Sequence, residues 1–322
     1  MKPKLYIGTV GMSVWFSDDL GETFVRPNSE FGMTNEARVW ALASHKDNPG
    51  HVLAGTDSGL FRWDETDGRW SQAASPMDGK WVWALAYSPH DAKRIVAGTS
   101  PGALYLTHDG GTTWNKLDIA IPEKCLFNVT SRVTQVLFDP IDPETQWASA
   151  EIDALHRSRD GGKTWTRLSN GLATDDVHSL AVMRDGDKRI VFAAVNRGIH
   201  RSEDDGESFA KVELPSIWQY TRAVVPNASG NGTVYVTNGD GPPGSWGRLF
   251  RSDDFGLSWR ELELPGKTNS TLWTISANEF DPDLLFVCSN LGQMFRSQDG
   301  GESWVKLERE LGEIRSAMWR PV

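Results

Sequence analysis

An eight-residue stretch recurs along this chain and constrains what it can fold into more than any other feature. Its clearest copy is Ser158-Arg159-Asp160-Gly161-Gly162-Lys163-Thr164-Trp165. It reads as the end of one strand, a tight turn and the start of another strand opened by an aromatic. Adjacent glycines accept positive φ without steric cost, an aspartate can fold its carboxylate onto turn N–H groups, and a tryptophan supplies buried apolar area with one polar N–H. Further copies begin at Ser17, Thr107, Ser202, Ser252 and Ser297, and a worn copy at Trp63 carries Glu65 where the others carry aspartate. The third octet position falls at 19, 65, 109, 160, 204, 254 and 299, with successive spacings of 46, 44, 51, 44, 50 and 45. A period in the forties built from strand-like segments is the signature of a radial repeat fold.

Residues 82–118 show one whole unit. Val82–Pro89 is an apolar strand ended by proline, Arg94–Thr99 a second strand, Ala103–Thr107 a third, and Trp114–Leu117 opens a fourth after the octet turn. Short strands separated by Gly, Pro and Asp turns, with no segment of helical period, make an antiparallel meander. The other first strands begin at Val39, Val133, Val177, Thr221 and Leu272. At the N-terminus Leu5–Thr9 matches a second strand, so the first unit lacks its first strand. Ile314–Pro321 matches Val82–Pro89 and supplies it. The expected fold is therefore all-β: a seven-bladed β-propeller of four-stranded antiparallel blades, one domain over 1–322, whose C-terminal strand completes the N-terminal blade and leaves no open edge.

These octets resemble the Asp-box, or BNR, repeat of sialidase-like, sortilin-like and photosystem-assembly-factor-like propellers, and the resemblance covers nearly the whole chain. It implies a structural turn between the two outer strands, on the face opposite the usual active site. Sialidases, which the blades resemble, also carry an arginine triad, a Tyr–Glu nucleophile pair, an Asp acid and an Arg-Ile-Pro motif on six blades. This chain has no Arg-Ile-Pro and seven units, so no catalytic residue carries over. The photosystem assembly factor resembles it in blade number and arginine-lined face, but is exported to the thylakoid.

Composition excludes several classes. A formal net charge of -10 with a pI near 5.2 argues against nucleic acid or an anionic membrane as the main partner. No apolar run reaches the roughly 18 residues of a membrane span. The first residues enter a strand without a signal-peptide core, and Cys125 and Cys288 are too few for a disulfide framework, so a cytoplasmic monomer is expected. Each octet offers one acid, which is too few oxygens at one point for calcium, and the histidines are dispersed. Neither metal nor cofactor is expected.

Function in such a fold is expected at the mouth of the central channel, where first strands begin and second strands end. Internal copies expose the positions that break step. The second first-strand position reads Trp40, Trp83, Thr134, His178, Arg222, Trp273 and Arg315; two residues earlier it reads Arg38, Trp81, Arg132, Asp176, Tyr220, Thr271 and Glu313. Arginines between flat aromatic walls suit a small polar or anionic ligand, or a protein partner; the alternative is that arginines and acids pair across neighbouring blades. After the second strands Glu151 is the only acid of its set, with Asp153 nearby and Asp57 in a related turn. Paired carboxylates can act as acid and base, so Glu151 with Asp176 or Asp153 is the candidate catalytic pair, and His178 beside Asp176 a candidate Asp–His pair. Two long linkers are lid candidates. One is 118–132, with Pro122, Cys125, Phe127 and Asn128. The other is 239–247, where Trp246 stacks on a sugar or aromatic ligand or packs on the rim. The expected function is a ligand- or partner-binding propeller, with a glycosidase-like hydrolase or lyase as the alternative.

Overall fold

Each octet turn knots itself together in the same way in the computed structural model, which describes residues 2–27, 32–124 and 129–322. The Ser158 hydroxyl donates to Asp160 Oδ1 (2.8 Å) and accepts the Gly162 N–H (2.9 Å). Asp160 in turn accepts the Thr164 N–H on Oδ1 (2.9 Å) and the Thr164 hydroxyl on Oδ2 (2.6 Å). The Trp165 indole N–H closes the turn on the Gly162 carbonyl at 3.1 Å. Asp19, Asp109, Asp204, Asp254 and Asp299 repeat the serine or threonine pattern. These bonds hold the Asp160 and Asp299 carboxyls down at about 2, the hydroxyls of Thr164 and Ser303 being the largest cause. In the worn copy Glu65 accepts the Trp63 indole N–H, and Asp64, one position earlier, takes the turn N–H groups of Thr66 and Asp67.

The chain divides into two compact units. Met1–Ile7, Phe16–Phe24 and Ser169–Pro321 form one; Gly8–Trp15, Val25–Leu168 and Val322 form the other. In chain order, β1 (Pro3–Thr9) and β2 (Val14–Ser17) open the fold. The sheets of the second unit follow: β3 (Val39–His45), β4 (Asn48–Thr56), β5 (Gly59–Asp64) and β6 (Arg69–Ala73); β7 (Trp81–Ser88), β8 (Asp91–Ser100), β9 (Leu104–Thr107) and β10 (Asn115–Lys116); β11 (Val133–Phe138), β12 (Gln146–Ala150), β13 (Leu155–Ser158) and β14 (Thr166–Leu168). The first unit carries β15 (Val177–Asp185), β16 (Lys188–Val195), β17 (Gly198–Ser202) and β18 (Ala210–Val212); β19 (Tyr220–Pro226), β20 (Val234–Gly239), β21 (Gly247–Ser252) and β22 (Arg260–Leu262); β23 (Leu272–Asn278), β24 (Asp281–Ser289), β25 (Met294–Ser297) and β26 (Val305–Lys306). Finally β27 (Ile314–Pro321) lies beside β1 in the order β2-β1-β27. These are the seven blades of an all-β propeller, with the C-terminal strand completing the N-terminal blade. No helix among the described residues is long and apolar enough to cross a membrane.

The N-terminal sheet has three named strands where four are expected, and Val25, after its octet, is only a single bridge residue. Pro27 follows two residues later, and proline has no N–H with which to continue a ladder. Elsewhere burial follows position in the sheet. Second strands such as β12 and β20 are buried throughout, because blades pack on both faces, whereas the short β10 and β26 are exposed. Two second-strand glycines let neighbouring blades of the second unit approach closely. A Cβ on Gly55 would lie 2.5 Å from the Val82 carbonyl oxygen, and one on Gly98 2.4 Å from Val133 Cγ1. The octet aromatics fill the seams: Trp114 packs with Leu53, Ile95 and Tyr105, and Trp304 with Tyr235, Leu249 and Leu262.

A second fastener was not anticipated from the sequence. The residue just before the octet is arginine in several blades, and it reaches the fourth octet position of the following blade. Arg62 donates to the Gly110 carbonyl (2.9 Å), Arg201 to Phe255 (2.6 Å), Arg251 to Gly300 (2.8 Å) and Arg296 to Leu20 (2.9 Å). Arg251 and Arg296 also bind Glu302 and Glu22, each at 2.8 Å.

Candidate functional site

The residues that break the internal pattern form one tryptophan–arginine cluster in the second unit and separate smaller groups in the first. In the second unit, Trp40 on β3 and Trp83 on β7 are each the second residue of a first strand or one beyond it, on neighbouring strands. Their rings stack at 4.2 Å and 13°, and Trp81, which opens β7, lies 5.5 Å from Trp40 at 25°. Arg132, just before β11, lays its guanidinium 4.4 Å from the Trp83 centroid, and Arg38 sits 5.8 Å from Trp81. Trp40 is buried, yet Trp81 keeps 38% of its surface exposed. A large indole left open beside a guanidinium is a flat apolar wall edged by donors.

Glu151 belongs to this cluster, and its geometry explains its partner. Its N–H bonds the Arg132 carbonyl at 2.9 Å, which sets the two side chains next to each other, and Arg132 Nη2 meets Glu151 Oε1 at 2.5 Å. Asp57 repeats the arrangement: its N–H bonds the Arg38 carbonyl at 3.1 Å and its Oδ2 lies 4.0 Å from Arg38 Nε. Arg315 pairs with Glu313 on its own strand's approach. The Arg132–Glu151 and Arg38–Asp57 pairs form within a blade, because the backbone bond between the two strand ends brings those side chains together. Glu151 Oε2 is buried and makes no hydrogen bond among the described residues. The turn that follows holds two non-glycine residues in the left-handed region, Ile152 at φ 61° and Ala154 at φ 60°; for a β-branched residue this is costly.

Asp153, two residues on, does not face the same point. Its Oδ2 meets His156 Nε2 at 2.9 Å and its Oδ1 accepts from Arg167 Nε at 2.9 Å, which ties it to the third and fourth strands of its own sheet. The pairing of Glu151 with Asp153 as acid and base is thus not formed.

In the first unit, Asp176 and His178 come together as alternation along a strand dictates, with Oδ2 3.5 Å from Nε2. The other ring nitrogen, Nδ1, lies 2.7 Å from the Thr221 carbonyl oxygen, so it carries the proton there. The Tyr220 ring packs 4.8 Å away, and His178 is 7% exposed. Nδ1 is thus committed to the Thr221 carbonyl, and Nε2 faces the Asp176 carboxylate. Arg222 and Arg315 both pack on Trp273, at 4.1 and 4.4 Å from its ring centroid.

Trp246 stands in a different surround, with Trp218 at 6.0 Å and 29°. Trp218, Arg248 and Lys267 are functional candidates that sequence reasoning did not single out; the Ile217-Trp218 pair in the approach to β19 was the available signal. Cys125, Phe127 and Asn128 of the other long linker lie outside the described residues. Cys288 is buried, and burial pushes its thiol up to about 12, which leaves it inert. Among the described residues no group of three or more His, Cys, Asp or Glu gathers to hold a metal ion.

No protein-family model matches the chain. Over 283 residues it is 21% identical to a probable oligoxyloglucan-reducing end-specific xyloglucanase of Neosartorya fischeri, covering 77% of this chain and 35% of that protein. It is 24% identical over 264 residues to sortilin of Danio rerio, covering 74% and 30%. Among solved structures, the GH74 enzyme of Niastella koreensis superposes with a TM-score of 0.67 at 21% identity, covering 83% of this chain and 45% of that one. At these identities the likeness is one of fold, and the chain spans about a third of the length of the curated relatives it matches.

Proposed function

We propose that this propeller binds saccharides, holding sugar rings against the open indole of Trp81 at the start of the first strands. One observation carries the reading: Trp81 and Trp83 both stack on Trp40, with Trp81 exposed, the Arg38 guanidinium beside Trp81 and that of Arg132 on Trp83. The C–H face of a pyranose is apolar and its hydroxyls are polar, so it suits a flat aromatic wall with donors at the edge. The xyloglucanases among its relatives support a saccharide over other polar ligands. The test is calorimetric titration with neutral β-linked oligosaccharides, xyloglucan fragments included. Trp81→Ala should weaken binding by tenfold or more with an unchanged circular dichroism spectrum. No binding across the panel, or equal binding by the variant, would refute the proposal.

A hydrolytic second reading has one observation in its favour, the buried and unbonded Oε2 of Glu151 beside the strained 152–154 turn. It requires a second carboxylate at the same point, and Asp153 is turned to His156 and Arg167. If the protein releases new reducing ends and Glu151→Gln stops it, this reading replaces simple binding. If no reducing ends form, it falls.

A further inference from the structure

The turn between β20 and β21 is the longest of its kind here. Residues 240–246 stand where the second and fifth blades have two residues, 57–58 and 196–197. A long loop is ordinarily loose, but this one is built. Asp240 Oδ1 accepts the Ser245 N–H (2.7 Å) and the Trp246 N–H (2.9 Å). The Thr271 N–H bonds the Pro243 carbonyl at 2.8 Å, and the Thr268 hydroxyl oxygen accepts the Gly247 N–H at 2.6 Å. The backbone has no slack: at Gly244, φ is +69° and a Cβ would lie 2.3 Å from Asp240 Oδ1. The construction serves to hold Trp246 out, with 43% of its surface exposed, over a cavity of about 270 Å³.

The lining decides what the cavity can take. Trp246 forms one wall, and Arg248, Glu261, Glu263, Lys267 and Thr268 supply the polar groups. Arg248 binds Glu261 at 2.8 Å and lies 4.9 Å from the Trp218 ring. The Lys267 ammonium sits 4.2 Å from the Trp246 centroid. Two cations face two carboxylates, so the lining is electrically balanced and gives no net preference for an ion. A cavity near the lower bound of ligand pockets, about 300 Å³, has room for one ring and not for a chain. We infer that this pocket takes a single neutral pyranose ring, stacked on Trp246 and hydrogen-bonded by its hydroxyls to the charged lining, as a subsite separate from the Trp81 wall. The ring replaces the Lys267 ammonium on the indole, and the three ammonium donors turn to ring hydroxyls.

This inference rests on the saccharide reading but is tested apart from it. Indole N–H resonances of the intact protein, assigned by single tryptophan replacements, are followed during titration with free neutral hexoses and pentoses, with glycerol as control and glucuronate as the charged arm. The expected result is that a neutral monosaccharide shifts the Trp246 and Trp218 signals, that glycerol does not, and that Trp246→Ala, read at the Trp218 signal, weakens this binding by tenfold or more. A silent Trp246 signal overturns the subsite even where oligosaccharides still bind through Trp81, and in that case the proposed function stands. A Trp246 response with no Trp81-dependent binding keeps the subsite and removes the first-strand wall. Glucuronate binding tenfold tighter than every neutral sugar would overturn the assignment of a neutral ligand.

Discussion

The octet turns and the starts of the first strands are both built from seven repeats, and they have diverged in opposite ways. At the octets, Ser17, Ser158, Ser202, Ser252 and Ser297 and Thr107 all bond the aspartate two residues on, at 2.7 to 2.8 Å. The same positions in the first strands hold tryptophan, threonine, histidine or arginine, and their contacts differ from blade to blade. The octet solves one problem in the same way six times, satisfying the backbone of a sharp turn while anchoring an aromatic in the seam. The first-strand starts meet no common requirement, so each is free to carry something else. Repetition marks the scaffold, and departure from it marks the surface proposed to meet a ligand.

Three measurements press on that contrast, beyond the Trp81 and Trp246 tests. Trp304→Ala should have the largest effect on stability. It removes a buried indole packed with Tyr235, Leu249 and Leu262 together with its 3.0 Å bond to the Gly301 carbonyl. The expected loss is about 3–5 kcal/mol, read from the urea unfolding midpoint, while Trp81→Ala should move that midpoint far less. Equal losses would erase the distinction between scaffold and surface.

Arg251→Met keeps much of the side-chain volume and removes the clasp to Gly300 and Glu302. A charge-assisted bond to a backbone carbonyl supports an expected loss of roughly 1.5–3 kcal/mol. No loss would show that the arginine before the octet is not a fastener.

The smallest effect is a pH slope. Burial, the largest cause, lowers the His200 imidazole from 6.5 to about 4, and its Nε2 accepts the Ala173 N–H at 3.1 Å. The unfolded chain then binds more protons between pH 6.5 and 4, so stability falls as pH drops through that window. Below it, the octet aspartates, held under their unfolded value of 3.8 by their hydroxyl partners, contribute in the same sense: their share is present above 3.8 and lost as pH falls towards about 2. Urea midpoints measured from pH 7 to 4 should decline in the native protein and flatten in His200→Gln. A slope unchanged by that replacement would assign the loss elsewhere.

The octet spacing was enough to read the blade number and the C-terminal strand that completes the N-terminal blade. It was enough because each unit is local: strand, turn and strand within about forty-five residues, with glycine and aspartate at positions that only such turns need. The candidate site was legible as a set of positions but not as a set of contacts. Glu151, Asp153, Asp176 and His178 were all visible as residues out of step. Nothing in the sequence shows that Asp153 is bound to His156 and Arg167, or that His178 commits its Nδ1 to the Thr221 carbonyl. The arginine before the octet was repeated in plain view at 62, 201, 251 and 296, and it was missed because its partner lies 48 to 54 residues away, or 276 for Arg296. Turn chemistry and strand period are set by neighbours along the chain, which the sequence records directly. Which guanidinium lies on which indole, and which carboxylate is left with an unbonded oxygen, depends on angles between strands that only packing in three dimensions decides.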